Sequence, residues 1–217
     1  MDTFKKPARL LREIAYDKIK QAILQNAFEP GEFLSESKLI AFLGMSKTPI
    51  KSAIDRLESE GFVTVAPKQG IVVTALSIET IRDVFDLRIV LETYVCEQIA
   101  GKLNEKQMTQ IERNLSDSKQ AMLSQDENAF AHADAQFHLL LASFSGNQEL
   151  HRVLVHYQDH LFRTVLKVLL KDTGRMATSH QDHVAIFNAL IQMPQDANRV
   201  RELMREHLLY GKAILVH

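Results

Sequence analysis

The stretch from Glu29 to Val73, EPGEFLSESKLIAFLGMSKTPIKSAIDRLESEGFVTVAPKQGIVV, constrains this chain more than any other. Pro30-Gly31 makes a turn, and Ser35 is placed to cap a helix in which Leu39, Ile40, Phe42 and Leu43 supply the apolar side. Gly44 ends that helix, and Ser46 is placed to cap the next, with Pro49 tolerated in its first turn. Ile50, Ala53, Ile54 and Leu57 fall at i, i+3, i+4 and i+7, the stripe of a helix packed on a core. Gly61 stops it. Phe62 to Ala66 and Ile71 to Val73 are β-rich runs joined by Pro67-Lys68-Gln69-Gly70, a hairpin signal. An earlier helix over Arg9–Asn26 presents Leu11, Ile14, Ala15, Ile19, Ala22 and Ile23 on one face. Three helices and a two-stranded wing make a winged helix-turn-helix, whose last helix enters the DNA major groove by its N-terminal end.

Lys47, Thr48 and Lys51 lie off the apolar stripe at that end and are the candidate base and phosphate contacts. Ser37, Gln69 and Gly70 are candidates for phosphate or minor-groove contacts from the preceding helix and the wing. The segment PGEFLSESKLIAFLGMSKTPIKSAIDRLESEGFV resembles, without a gap, the DNA-binding domain of the GntR family of bacterial transcription regulators. That family's pattern has arginines where this chain has Lys47 and Lys51. Arginine grips guanine O6 and N7 with two parallel bonds, whereas lysine is a point charge. The resemblance therefore implies DNA binding but not the family's usual operator sequence.

Composition agrees with such a protein. Of 217 residues, 46% are hydrophobic and 24% charged, enough for two modest domains with cores of their own. The net charge of −1 is divided unevenly. Residues 1–76 hold 11 Lys and Arg against 9 Asp and Glu, and the remainder 15 against 18, so a slightly basic head precedes an acidic body. The one cysteine, Cys96, lies in an apolar helical pattern and reads as a small buried hydrophobe in a reducing cytoplasm. No run approaches the ~20 apolar residues of a membrane span, so no membrane partner is expected.

From Ile78 onward helical periodicity persists to the C-terminus. Helices are expected near 78–102, 105–124, 127–145, 147–171, 175–193 and 196–214, packed as an antiparallel all-α bundle. The expected division is a DNA-binding domain over 1–76 and a ligand-binding, metal-binding and dimerising domain over 77–217.

All nine histidines lie after residue 131. Asp134 and His138, four apart, fall in register with the stripe Phe130, Phe137 and Leu141. His183 opens the stripe Ile186, Phe187, Leu190 and Ile191, and His207 continues Val200, Leu203 and Met204 towards Leu208 and Ile214. An ionised aspartate facing an apolar core is costly unless paired. One pairing is a divalent metal shared by three helices: Zn²⁺ foremost, with Ni²⁺, Mn²⁺ or Fe²⁺ as alternatives. The other is a set of hydrogen-bonded core histidines with a simple i, i+4 contact. The remaining six histidines, His132, His151, His156, His160, His180 and His217, fit the stripes less well and are assigned to surfaces. Arg88 is inward-facing with Ile81, Val84, Phe85, Leu91 and Val95, and suits either a carboxylate anchor or a salt bridge to Glu92.

This second part is similar to the all-helical effector domain of the FadR-like (FCD) branch of the same family, in DLRIVLE at 86–92, DAQFH at 134–138, DHVAIFNAL at 182–190 and MREHL at 204–208. The resemblance implies a metal held by Asp134, His138, His183 and His207, and argues against the fatty acyl effectors of members that lack this set. It also implies repression relieved by a metabolite. The resulting expectation is a homodimeric regulator reading a near-palindromic operator in double-stranded DNA. A small carboxylate effector would bind at or near the metal, with Arg88. The competing expectation is a metal-dependent enzyme built on the bundle. Against it, Asp134 is used as a ligand, no separate general base is evident, and HExxH, nucleophile elbow and phosphate loop are all missing.

Overall fold

The computed structural model describes residues 8–66, 70–172 and 174–216. The chain divides into two compact units, Met1–Leu76 and Ser77–His217.

The first unit runs α1 (Ala8–Leu24), β1 (Phe33–Leu34), α2 (Glu36–Leu43), α3 (Lys47–Ser59), β2 (Val63–Ala66) and β3 (Gly70–Val73). Ser35 starts α2 as its position suggests: its backbone is extended and its Oγ accepts from the Lys38 N–H at 3.1 Å. Gly44 ends α2 at φ 63°, a left-handed conformation that glycine adopts without steric cost. Ser46 has the extended backbone of an N-cap but makes no side-chain capping bond, so only its position was anticipated. The α3 stripe of Ile50, Ala53, Ile54 and Leu57 is buried, and α1 packs along α3 through Ala15, Ile19, Ala22 and Ile23. Each fully buried aliphatic side chain in this core contributes about 1.5–3 kcal/mol. On α2 the apolar side is narrower than its composition suggests. Leu39 and Leu43 are buried, whereas Ile40 and Phe42 are exposed, Phe42 with one edge against Phe28.

The wing has three strands rather than two, in the order β1-β3-β2 and antiparallel throughout. Val63 pairs with Val73, Val65 with Ile71 and Ala66 with Gly70, while Phe33 and Leu34 pair with Val72 and Ile71. The Gly31 N–H donates to the Val73 carbonyl at 2.8 Å and the Val73 N–H to the Glu32 carbonyl at 3.0 Å, which carries β1 onto the sheet edge. The expected turn at Pro67-Lys68-Gln69 lies outside the described residues. At the far end of α3, Glu60 accepts from Tyr16 at 2.5 Å, Lys20 at 3.1 Å and Arg56 at 3.0 Å, tying that helix to α1.

The second unit, among the described residues, is all α: α4 (Ile78–Ile99), α5 (Glu105–Ser124), α6 (Glu127–Phe144), α7 (Gln148–Lys171), α8 (Arg175–Ile191) and α9 (Ala197–Val216). Polar caps start most of them. Ser77 accepts from Thr80 N–H, Asp126 from Ala129 N–H and Asn147 from Leu150 N–H, and Asn104 with Gln107 forms a reciprocal capping box. Phe137, Leu141, Leu154, Ile186, Leu190, Val200 and Met204 meet in one core with Cys96 among them. α4 packs along α9, and α6 lies against α5 and α7. Ile191, expected on the inward stripe of α8, is instead exposed at the end of the helix. No described helix is long and apolar enough to cross a membrane.

Candidate functional site

In the first unit the exposed end of α3 presents Lys47, Thr48 and Lys51 to solvent. Lys47 and Lys51, one helical turn apart, line a groove of about 330 Å³ between α2, α3 and the wing, as does Gly70. Gly70 stands at φ 110°, a backbone conformation that L side chains rarely adopt. Ser37 sits in the first turn of α2, its hydroxyl 2.8 Å from that of Ser35. Gln69 lies outside the described residues. The Lys47 ammonium is 2.7 Å from the Glu36 carboxylate, and both side chains are more than half exposed. Such a pair is worth little in water, so it does not hold Lys47 back from a phosphate.

In the second unit, α6, α8 and α9 bring Asp134, His138, His183 and His207 together. Their ligand atoms all lie within 4.8 Å of one another, and all four residues are buried. His183 Nε2 is 3.3 Å from His207 Nε2 and 3.6 Å from Asp134 Oδ1, and His138 Nε2 is 3.8 Å from Asp134 Oδ2. Bonds of about 2.0–2.2 Å to one central ion put neighbouring ligand atoms roughly 3–4 Å apart, which agrees with these separations. Two imidazole nitrogens 3.3 Å apart need a proton or a cation between them. His138 Nε2 is buried with no hydrogen-bond partner among the described residues, which is costly for a core histidine and expected of a ligand. Burial, with repulsion from His207, His138 and two arginines, pushes the His183 imidazole well below its usual range. Burial lowers His207 to about 4, although Asp182 opposes the shift. Both are therefore neutral at pH 7, the form that ligates metal. The donor set fits a divalent cation.

Behind the four lies a shell of which the sequence reading named only the pair Arg88 and Glu92. His138 Nδ1 is 2.5 Å from Glu92 Oε2, and Glu92 Oε1 accepts from Arg88 Nε at 2.7 Å. Burial raises the Glu92 pKa, but Arg88 and His138 outweigh it and hold the carboxyl at about 2. Of the two roles open to Arg88, the salt bridge is present, and its guanidinium also lines the cavity beside the ligands. Asp134 Oδ1 accepts from Ser179 Oγ at 2.9 Å. His207 Nδ1 is 3.0 Å from both Asp182 Oδ2 and Arg175 Nη2. A signal for Arg175 existed: a basic residue in the first turn of a helix opposes the positive end of the backbone dipole and needs another reason to be there. Asp182 adjoins His183 in sequence, and Arg88–Glu92, Asp134–His138 and Ser179–His183 are all i, i+4 pairs on shared helix faces. The cavity among Arg88, Asp134, Arg175, Ser179 and His207 measures about 20 Å³, room for one water-sized group.

The other histidines are not all on surfaces. His132 and His156 are exposed, but His151, His160 and His180 are half-buried, His180 with its Nδ1 2.9 Å from Ser118 Oγ. His217 lies outside the described residues.

Residues 11–73 match the profile of the bacterial regulatory proteins of the gntR family, and residues 83–210 match that of the FCD domain. The chain thus belongs to the FCD-containing branch of the GntR family: it is a DNA-binding transcription regulator, not an enzyme. Among relatives it is 28% identical to the HTH-type transcriptional regulator YdhC of Bacillus subtilis over 96% of this chain and 91% of that one. It is 24% identical to the HTH-type transcriptional repressor RspR of Escherichia coli over 96% and 90%. The fold matches a solved GntR transcriptional regulator from Rhodococcus sp. RHA1 with a TM-score of 0.81, at 18% identity over 94% and 97% of the two chains.

Proposed function

We propose that the chain is a homodimeric repressor whose operator binding is controlled by a small organic acid. Residues 1–76 read DNA, and residues 77–217 dimerise and bind metal and effector. The observation that carries the reading is the buried convergence of Asp134, His138, His183 and His207 in a chain whose other unit exposes Lys47, Thr48 and Lys51 at the start of α3. Two such helices, one per protomer, would read two half-sites of a near-palindrome, with Ser37, Gln69 and Gly70 adding contacts to the backbone or minor groove. A divalent cation, Zn²⁺ foremost, would supply positive charge and open coordination positions between the four ligands. Glu92 holds His138, and Asp182 holds His207, so that each offers Nε2; Ser179 orients Asp134. Arg88 would meet the acid's carboxylate. Repression is supported by the similarity to the HTH-type transcriptional repressor RspR. An acid that binds one pose of the helical units better than the other would shift the population of DNA-competent dimers.

The test is to sequence genomic fragments retained by the Zn²⁺-loaded protein at near-physiological salt, and then to titrate carboxylates against the enriched fragment. A single near-palindrome, released by an acid while metal stays bound, is the expected result. The size of the cavity favours a second reading, in which the metal is purely structural. Operator affinity that no carboxylate changes would select it.

A further inference from the structure

Two arginines from different helices line the cavity beside the candidate ligands, Arg88 of α4 and Arg175 of α8. Their exposures are 3% and 4%. Arg175 is held from four sides. Its Nη1 donates to Asp182 Oδ2 at 3.0 Å and to Thr178 Oγ1 at 3.2 Å. Its Nη2 lies 3.0 Å from His207 Nδ1 and donates to the His207 carbonyl at 3.4 Å, and the guanidinium sits 4.7 Å from the Tyr210 ring centroid.

The charges around this cavity can be matched one by one. Arg88 is paired with Glu92 at 2.7 Å, and Arg175 with Asp182 at 3.0 Å. Among the cavity-lining residues and their ion-pair partners, Asp134 is the carboxylate left to face a dication bound by the four ligands, which would leave one positive charge unmatched. An unmatched buried charge costs several kcal/mol. A ligand with a single negative charge removes that cost, whereas a second negative charge would itself be buried without a partner. Size adds a condition. The cavity, about 20 Å³, admits one water-sized group, so even a two-carbon acid enters only if a wall moves. Arg175 is the wall residue with the most to exchange: a His207 that offers Nε2 to metal carries its proton on Nδ1 towards Asp182, so Arg175 Nη2 gives up only the His207 carbonyl at 3.4 Å when it turns to a carboxylate, at no loss of hydrogen bonds.

Resting on the acid-binding reading above, we propose that Arg175 is a second carboxylate-binding residue of this site and that the effector is a small organic acid carrying one negative charge. Binding takes Arg175 from His207 to the acid, which alters the contact between α8 and α9.

The experiment is calorimetric titration of the Zn²⁺-loaded 217-residue chain with acetate, glycolate and L-lactate, and separately with oxalate, succinate and L-malate. The expected result is that at least one monoanion binds, about tenfold or more tighter than any dianion. In Arg175→Gln, with helical content and zinc stoichiometry unchanged, monoanion affinity should fall about tenfold or more, and Arg175→Lys should recover part of it. A dianion that binds as tightly as the monoanions overturns the charge assignment and leaves the acid-binding reading standing. Undiminished monoanion affinity in a zinc-loaded Arg175→Gln overturns the role of Arg175. If no acid of either class binds, the acid-binding reading falls and this inference with it. Should Arg175→Gln fail to fold, Arg175→Lys and the wild-type charge comparison still decide.

Discussion

Replacing Glu92 by glutamine keeps the shape of the side chain and removes its charge, with two separable consequences. The first is on stability. Glu92 and Arg88 form an ion pair at 2.7 Å in which both side chains are 4% exposed or less. Breaking such a pair from one side leaves a buried guanidinium without its counter-charge, at a cost of about 3–5 kcal/mol. The second is on metal. Glu92 Oε2 lies 2.5 Å from His138 Nδ1, where a carboxylate fixes the tautomer that offers Nε2. Losing such a partner lowers metal affinity about 10–100-fold. Urea denaturation in the presence of a chelator reads the first effect without metal, and competition with a chromogenic chelator reads the second. The double variant Arg88→Met with Glu92→Met removes both charges and should regain most of the stability lost in Glu92→Gln, since paired removal leaves nothing uncompensated. A loss below about 1 kcal/mol in Glu92→Gln, the range of exposed pairs, would refute the premise that this pair is desolvated. Unchanged zinc affinity would show that Glu92 does not orient His138.

Three further outcomes are expected. Lys51→Ala should weaken operator binding and flatten its dependence on log salt by about one unit, measured by fluorescence anisotropy; an unchanged slope would mean that Lys51 meets no phosphate. His183→Ala, which removes a fully buried imidazole stacked on Phe137 at 4.0 Å, should abolish stoichiometric zinc and the thermal stabilisation that zinc confers, about 2.7 kcal/mol at a hundredfold excess over Kd; a full zinc load by elemental analysis would remove His183 from the ligand set. At Glu60, burial raises the pKa, but hydrogen bonds from Tyr16 and Lys20 outweigh it and the value falls below the ordinary carboxylate range. Its stabilisation is therefore present above the unfolded pKa and is lost as pH falls through the folded one. The stability gap between wild type and Glu60→Gln should close on acidification, and a gap that persists at low pH would refute the assignment.

Much of the architecture was legible because it is local. The helices of the second unit follow from apolar spacing and polar caps, and their ends fall within three residues of expectation, as in 78–99 against 78–102. The stripe on α3 is buried where periodicity put it, and the glycines at 44 and 61 end their helices with positive φ. Asp134, His138, His183 and His207 were selected by the same logic, since an ionisable side chain in register with apolar neighbours must face the interior. What the chain alone did not reveal is what those interiors contain. β1 has two residues, too few for any alternation to show, and exists because β3 offers it an edge. Ile40, Phe42 and Ile191 have core-like spacing but no helix or strand among the described residues of their own unit covers them, so they stay exposed, Phe42 with only an edge against Phe28. Arg175 and Asp182 look like ordinary helix polar residues until α8 is packed on α9 and His207, 32 and 25 positions away, comes within 3.0 Å. Periodicity determines which face of a helix turns inward, because it depends on one element's geometry. Which charges meet across that interior is decided by the packing of several helices, and only the tertiary structure holds that information.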